Sequence, residues 1–132
     1  MSEKAFQATV LKHFRARKLH CVKHNDSLTP GIPDLSVYHP SQLKTQWIEL
    51  KVLPKLPKSH IAPVKFGFEE EQIYFLCKRN GFGLVKMERE VLLLPAYACT
   101  NKLNAWQLRS AAEARFIAGF VDWDNLVGEL FR

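Results

Sequence analysis

Hydrophobic positions in the first eighteen residues recur at helical spacing. Phe6, Val10 and Phe14 lie four apart, Leu11 widens the stripe, and Lys12, Arg15, Arg17 and Lys18 stay polar. The pattern predicts an amphipathic helix over residues 3–18, with Ser2 as its N-cap. Residues 19–24 read as extended. Asn25, Asp26 and Ser27, with Pro30 and Gly31, form a loop. The period then changes to two. Residues 34–38 and 46–52 alternate and are rich in β-branched and aromatic side chains, which predicts two strands joined by a long hairpin turn over 39–45.

Pro54, Pro57 and Pro63 punctuate the next segment, which reads as a loop. Helical spacing returns over 69–80, where Gln72, Ile73, Leu76 and Cys77 share one side and Gly81 marks the stop. Residues 83–87 read as a strand, and 91–94 as another strand or an extended end. Beyond Pro95, residues 105–118 are alanine-rich and helical in spacing, and 122–131 form a shorter amphipathic segment. The order α, β, β, β, α, β and then helices predicts an α/β domain spanning 1–132. Its core lies in 1–95, with a helical C-terminal extension over 96–132.

A length of 132 residues with 47% hydrophobic residues suits one ordinary core. The net charge of +6 favours a polyanionic partner, nucleic acid ahead of an anionic membrane surface. Cys21, Cys77 and Cys99 are odd in number and widely spaced, which implies no disulfide framework and suits a reducing compartment. No apolar run approaches the roughly 18 residues of a membrane span, and the N-terminus lacks the layout of a signal peptide. The expected location is cytoplasmic, in a bacterium or phage-infected host cell, or nuclear in a eukaryote, with no membrane partner.

The chemistry concentrates in Gly31-Ile32-Pro33-Asp34 and Glu49-Leu50-Lys51. Residues two apart in a strand share a face. Ile48, Leu50 and Val52 therefore face the core, while Trp47, Glu49 and Lys51 project together from the outward or cleft side. Pairing of the two strands as a hairpin brings Asp34 near Glu49 and Lys51. Two carboxylates suit a hard cation such as Mg²⁺, which acidifies a water and withdraws charge from a phosphoryl group. A lysine beside them can orient that water and stabilise developing negative charge. Taken singly, Glu-x-Lys is a surface salt bridge worth about 0–1 kcal/mol, and Pro-Asp is a turn. Their combination on paired strands is what points to catalysis. His20, Cys21 and His24 make a poor zinc set, because alternation separates the cysteine from the histidines and no second ligand pair follows. The segment carrying Lys55, Lys58, His60 and Lys65 contains no acid, and it reads either as a track for a nucleic-acid backbone or as a solvated loop. Trp106, Phe116, Phe120, Trp123 and Phe131 read as core, with a dimer surface as the alternative.

Gly31-x-Pro33-Asp34 followed by Ile48-Glu49-Leu50-Lys51 resembles the signature of the PD-(D/E)xK nuclease superfamily. More narrowly, it resembles the virus-type replication-repair nuclease (VRR-NUC) branch, whose free-standing members are similar to Holliday-junction resolvases. The resemblance covers residues 3–95. It implies a restriction-endonuclease-like core, a mixed central sheet flanked by helices. Asp34 and Glu49 would ligate Mg²⁺ or Mn²⁺ with the Leu50 backbone carbonyl, and Lys51 would be the catalytic lysine. Glu3, at the start of the first helix, and Gln72, in the helix after the Glu-x-Lys strand, would support the site. Glu3 serves the helix dipole equally well.

The expected activity is that of a metal-dependent endonuclease hydrolysing phosphodiesters in branched DNA, a four-way junction or a flap, with the chain as a homodimer. The alternatives are a flap or nicking nuclease of replication and repair, a non-catalytic nucleic-acid-binding module on the same scaffold, and a structural protein. Nothing in the sequence separates DNA from RNA.

Overall fold

The N-terminal apolar stripe forms α1 (Glu3–Ala16), whose first turn is closed by the Ser2 hydroxyl accepting the Ala5 N–H at 3.0 Å. Phe6, Val10, Leu11 and Phe14 are buried. The helix ends two residues before the expected limit, because Lys18 turns left-handed (φ 61°) and the Leu19 N–H donates to the Phe14 carbonyl at 3.2 Å. The structure is a computed structural model that describes residues 1–24 and 30–132. The loop expected at Asn25, Asp26 and Ser27 lies outside the described residues.

Six strands follow: β1 (His20–Lys23), β2 (Leu35–His39), β3 (Lys44–Leu53), β4 (Phe82–Met87), β5 (Glu90–Pro95) and β6 (Ala114–Ile117). They form one sheet in the order β1-β2-β3-β4-β5-β6. Every neighbouring pair is antiparallel except β3 and β4, which run parallel. A parallel pair needs a crossover, and α2 (Glu70–Arg79) supplies it. The protein is thus α/β, with a mixed six-stranded sheet flanked by helices.

The sheet separates two apolar clusters. Leu35, Val37, Ile48, Leu50 and Leu84 pack against α1 and against α4 (Trp123–Leu130). Val85, Met87, Leu92 and Leu94 pack against Leu76 of α2, Leu108 of α3 (Ala105–Ala111), and Val64, Phe66 and Phe68 of the preceding loop. Coverage on both sides explains the unbroken apolar run in β5, whose residues 91–94 are all buried. It also decides between the outward and cleft orientations expected for Glu49 and Lys51, excluding the outward one. β3 is a central strand, and both side chains lie largely beneath the α2 layer, only 1% and 9% exposed.

Three further expectations are corrected. The helix over 105–118 stops at Ala111, because Ala112 is extended (φ −61°, ψ 134°) and the Glu113 N–H donates to the Leu93 carbonyl at 2.8 Å. Ala114 to Ile117 then pair with β5. The helix preference of alanine is worth less than about 1 kcal/mol per residue, and the otherwise unpaired edge of β5 offers a ladder of backbone hydrogen bonds. Residues 96–132 are therefore not a helical extension: they add a strand to the sheet and contribute Trp123, Leu126, Leu130 and Phe131 to the α1-side core. The residue that terminates α2 is Asn80, left-handed at φ 50°, rather than Gly81. Gly81 is required for a different reason: a Cβ there would fall 2.6 Å from Leu76 Cδ2 and 2.9 Å from the Trp47 carbonyl oxygen. No described helix is long and apolar enough to cross a membrane.

Candidate active site

Strand register brings the first acid to the second. Leu35 opposes Ile48 and Ser36 opposes Trp47, so Asp34, one residue before β2, stands across from Glu49. Two hydrogen bonds fix the pair. The Asp34 N–H donates to Glu49 Oε1 at 3.0 Å, and the Leu50 N–H donates to Asp34 Oδ2 at 3.0 Å. Each carboxylate thus holds the other's strand. The approach of Asp34 depends on Gly31, which has φ 83° and packs so closely on α2 that a Cβ would lie 2.5 Å from the Glu71 backbone.

The remaining oxygen of Glu49 is held by two cationic or polar donors. Lys51 Nζ lies 3.3 Å from Glu49 Oε2, and Gln72 Nε2 donates to the same oxygen. Gln72 is oriented by its other end, because its Oε1 accepts the Glu69 N–H at 3.0 Å in the first turn of α2. Asp34, Glu49, Lys51 and Gln72, four residues from three segments of the chain, therefore form one hydrogen-bonded cluster.

Its electrostatics are those of two acids forced together. Burial pushes the Glu49 carboxyl up to about 8, and the neighbouring Asp34 charge adds to the rise against the opposing pull of Lys51. Glu3 is exposed but stands close enough to feel the same field. Partial burial raises it, Lys51 and the Val52 N–H lower it, and Asp34 raises it. The first helix thus delivers Glu3 to the mouth of the site, beside the buried pair. Among the described residues, no three His, Cys, Asp or Glu side chains gather as a ready metal cage. Asp34 and Glu49 are the two carboxylates that the paired strands set side by side.

Several contributors carry no sequence signal. On the β4 side Glu49 neighbours Gly83, whose missing side chain leaves room for Cys99 Sγ and the Phe68 ring. Burial pushes the Cys99 thiol up to about 12, so it is an inert filler rather than a nucleophile. Phe68 lies under the Lys51 ammonium, 5.7 Å from Nζ to the ring centroid. Asn101 in turn fixes Phe68: its Oδ1 accepts the Gly67 and Phe68 N–H groups at 3.1 and 3.0 Å, and its Nδ2 donates to the Phe68 carbonyl at 2.8 Å. A lone phenylalanine and asparagine in loops give no pattern to read. Gly31 was legible, because a glycine before Pro-Asp marks a turn.

The four basic residues expected to contact DNA, Lys55, Lys58, His60 and Lys65, are all exposed on the segment that leaves β3 just after Lys51. The His20, Cys21 and His24 trio is dispersed: His20 packs against Tyr38, and the His24 ring bonds to the Ser36 hydroxyl at 2.9 Å. A cleft of about 260 Å³ on the α1 side of the sheet, lined by Phe6, His13, Lys86 and Trp123 among others, has no part in the carboxylate cluster. Compared with protein-family models and with curated proteins, the chain matches none.

Proposed function

We propose that the protein is a metal-dependent phosphodiesterase that cleaves branched DNA, with a restriction-endonuclease-like core of the PD-(D/E)xK superfamily, VRR-NUC branch. One observation carries the reading. Asp34 and Glu49 are hydrogen-bonded across adjacent strands, with Lys51 3.3 Å from the more deeply buried acid. A surface salt bridge needs no such burial. A buried acid whose proton affinity is raised by burial and by the carboxylate beside it calls for a counter-charge, and the all-oxygen donor set of the pair suits a hard divalent cation. The residues therefore fit Mg²⁺ or Mn²⁺, held by Asp34, Glu49 and the Leu50 carbonyl.

A bound cation of this kind supplies Lewis acidity toward a phosphoryl oxygen and makes a coordinated water more acidic. The chain's own groups do the rest. Lys51, fixed between the Glu49 carboxylate and the Phe68 ring, presents an ammonium to the attacking water and to charge developing on the phosphate. Gln72 holds the Glu49 rotamer through Oε2. Glu3 sets the field at the entrance. Lys55, Lys58, His60 and Lys65 offer charge to the backbone of a long substrate, fixing position without reading sequence. A homodimer would set two sites on a symmetric four-way junction.

The test incubates labelled four-way junction, flap, duplex and single strands, with RNA counterparts, in Mg²⁺, Mn²⁺ or EDTA. Branched DNA should be cut in metal and intact in EDTA. Asp34→Ala and Glu49→Ala should abolish cleavage while binding persists, because carboxylates repel phosphates. Lys51→Ala should cost about 10²–10³-fold in rate. Full activity of either carboxylate variant would eliminate the site.

A further inference from the structure

The segment after β3 is built as an arm rather than a slack loop. Residues 54–68 hold three prolines, Pro54, Pro57 and Pro63, and no acidic residue. The returning limb is pinned twice, by the Val64 N–H on the Leu103 carbonyl at 2.8 Å and by the Asn101 clamp on Gly67 and Phe68. Just before these anchors a turn closed by the Ala62 N–H on the Ser59 carbonyl (3.3 Å) presents Ile61 to solvent, 84% exposed. Lys58 and His60 precede it. Beside the tip, a cleft of about 190 Å³ is lined by Pro57, His60 and Ala62 on the arm and by Arg109 and Trp106, the latter 69% exposed, on α3.

We propose that Ile61 is a wedge that enters an unstacked base step at a DNA branch, with Trp106 offering its face to the displaced base. The inference rests on the nuclease reading above and adds to it the element that recognises branched structure. An isolated exposed isoleucine needs no explanation. This one sits on a proline-stiffened arm whose returning limb is anchored twice, between two residues, His60 and Ala62, that share a cleft with an exposed indole, in a stretch whose only charges are positive. Apolar side chains of this size insert between base steps where stacking is already weakened, and aromatic faces take up the freed base. The cations define the partner as a polyanion, and the arm's direct continuity with the strand carrying Lys51 favours the nucleic acid under cleavage over a lipid surface.

The experiment places 2-aminopurine at the branch point of a flap and a four-way junction and measures its fluorescence with the full chain in EDTA, alongside affinities for the branched forms and for duplex. Wild type should raise the fluorescence severalfold. Ile61→Ala should remove most of that rise and weaken branched binding about tenfold, the scale of one lost stacking contact, with duplex affinity within about twofold. Ile61→Leu should restore both readouts. Lys58→Ala should weaken branched and duplex binding alike. Coincident melting curves for wild type and Ile61→Ala, expected from the exposure of the side chain, separate loss of contact from loss of fold. An Ile61→Ala protein that brightens the probe and binds branched DNA like wild type overturns the wedge. So does tight binding of wild type to phosphatidylserine vesicles that displaces DNA and is lost in Ile61→Ala. If wild type still cuts branched DNA in Mg²⁺ in those cases, only the wedge fails; if it neither binds nor cuts, the nuclease reading fails with it.

Discussion

Replacing Asp34 by asparagine should stabilise the metal-free protein at alkaline pH, and by an amount the geometry sets. Asparagine keeps an oxygen for the Leu50 N–H but removes the charge that faces Glu49. The rise of Glu49 from 4.5 to about 8 corresponds to a penalty on the order of 5 kcal/mol once the pH exceeds both values. Burial is the larger cause and Asp34 the second, so Asp34 accounts for about 1–2 kcal/mol. The sign follows from proton binding. The folded state holds this proton more tightly than the unfolded one, so the associated stability is full below pH 4.5 and is lost as the pH climbs through about 8. In EDTA, Asp34→Asn should be no more stable than wild type at pH 5. At pH 8.5 it should melt about 3–8 °C higher, taking about 3–4 °C per kcal/mol for a domain of this size. Millimolar Mg²⁺ should then raise the melting temperature of wild type but not of the variant. A variant that melts below wild type by the same margin at both pH values would refute the argument, because its deficit would reflect a lost hydrogen bond rather than relieved repulsion.

Gly31→Ala combines a left-handed backbone with a Cβ 2.5 Å from the Glu71 backbone. It should cost about 2–4 kcal/mol in urea denaturation and lower cleavage by displacing Asp34. Phe14→Ala, at a fully buried position where α1 meets the Trp123 ring edge-on, should cost about 3–5 kcal/mol by the same measurement. Arg109 Nε and Nη2 donate to the Glu90 carboxylate at 2.6–3.0 Å and hold it below the usual carboxylate range. That stability is present above about pH 4.5 and lost as the pH falls through the depressed value. Arg109→Ala should accordingly be about 1–2 kcal/mol less stable at pH 7, with the gap closing in acid; a gap that persists at pH 3 would place its origin in packing.

The parts of the fold legible in the sequence are those where pattern and packing agree. Phe6, Val10 and Phe14 announce α1 because a single face of that helix meets the sheet. The Asp34 to Glu49 spacing announces the hairpin because period-two alternation survives on both strands. The failures have separate physical causes. Alternation correctly put Trp47, Glu49 and Lys51 on one face, but one strand says nothing of what covers it, so the burial of Glu49 under Gln72 and Phe68 was invisible. Ala111 to Ala114 satisfy a helical composition, while the competing attraction, the open edge of β5, lies some twenty residues upstream. Asn101 reaches Gly67 and Phe68 across more than thirty positions, and a distant side-chain clamp of that kind leaves no local trace.

Gln72 has one amide and two duties: its oxygen starts α2 and its nitrogen grips Glu49. The entry angle of the crossover helix and the aim of the buried acid are therefore one degree of freedom. A sequence that began α2 with some other capping side chain would release the amide and let the acid swing, so the link between the parallel strands cannot drift independently of the chemistry beneath it.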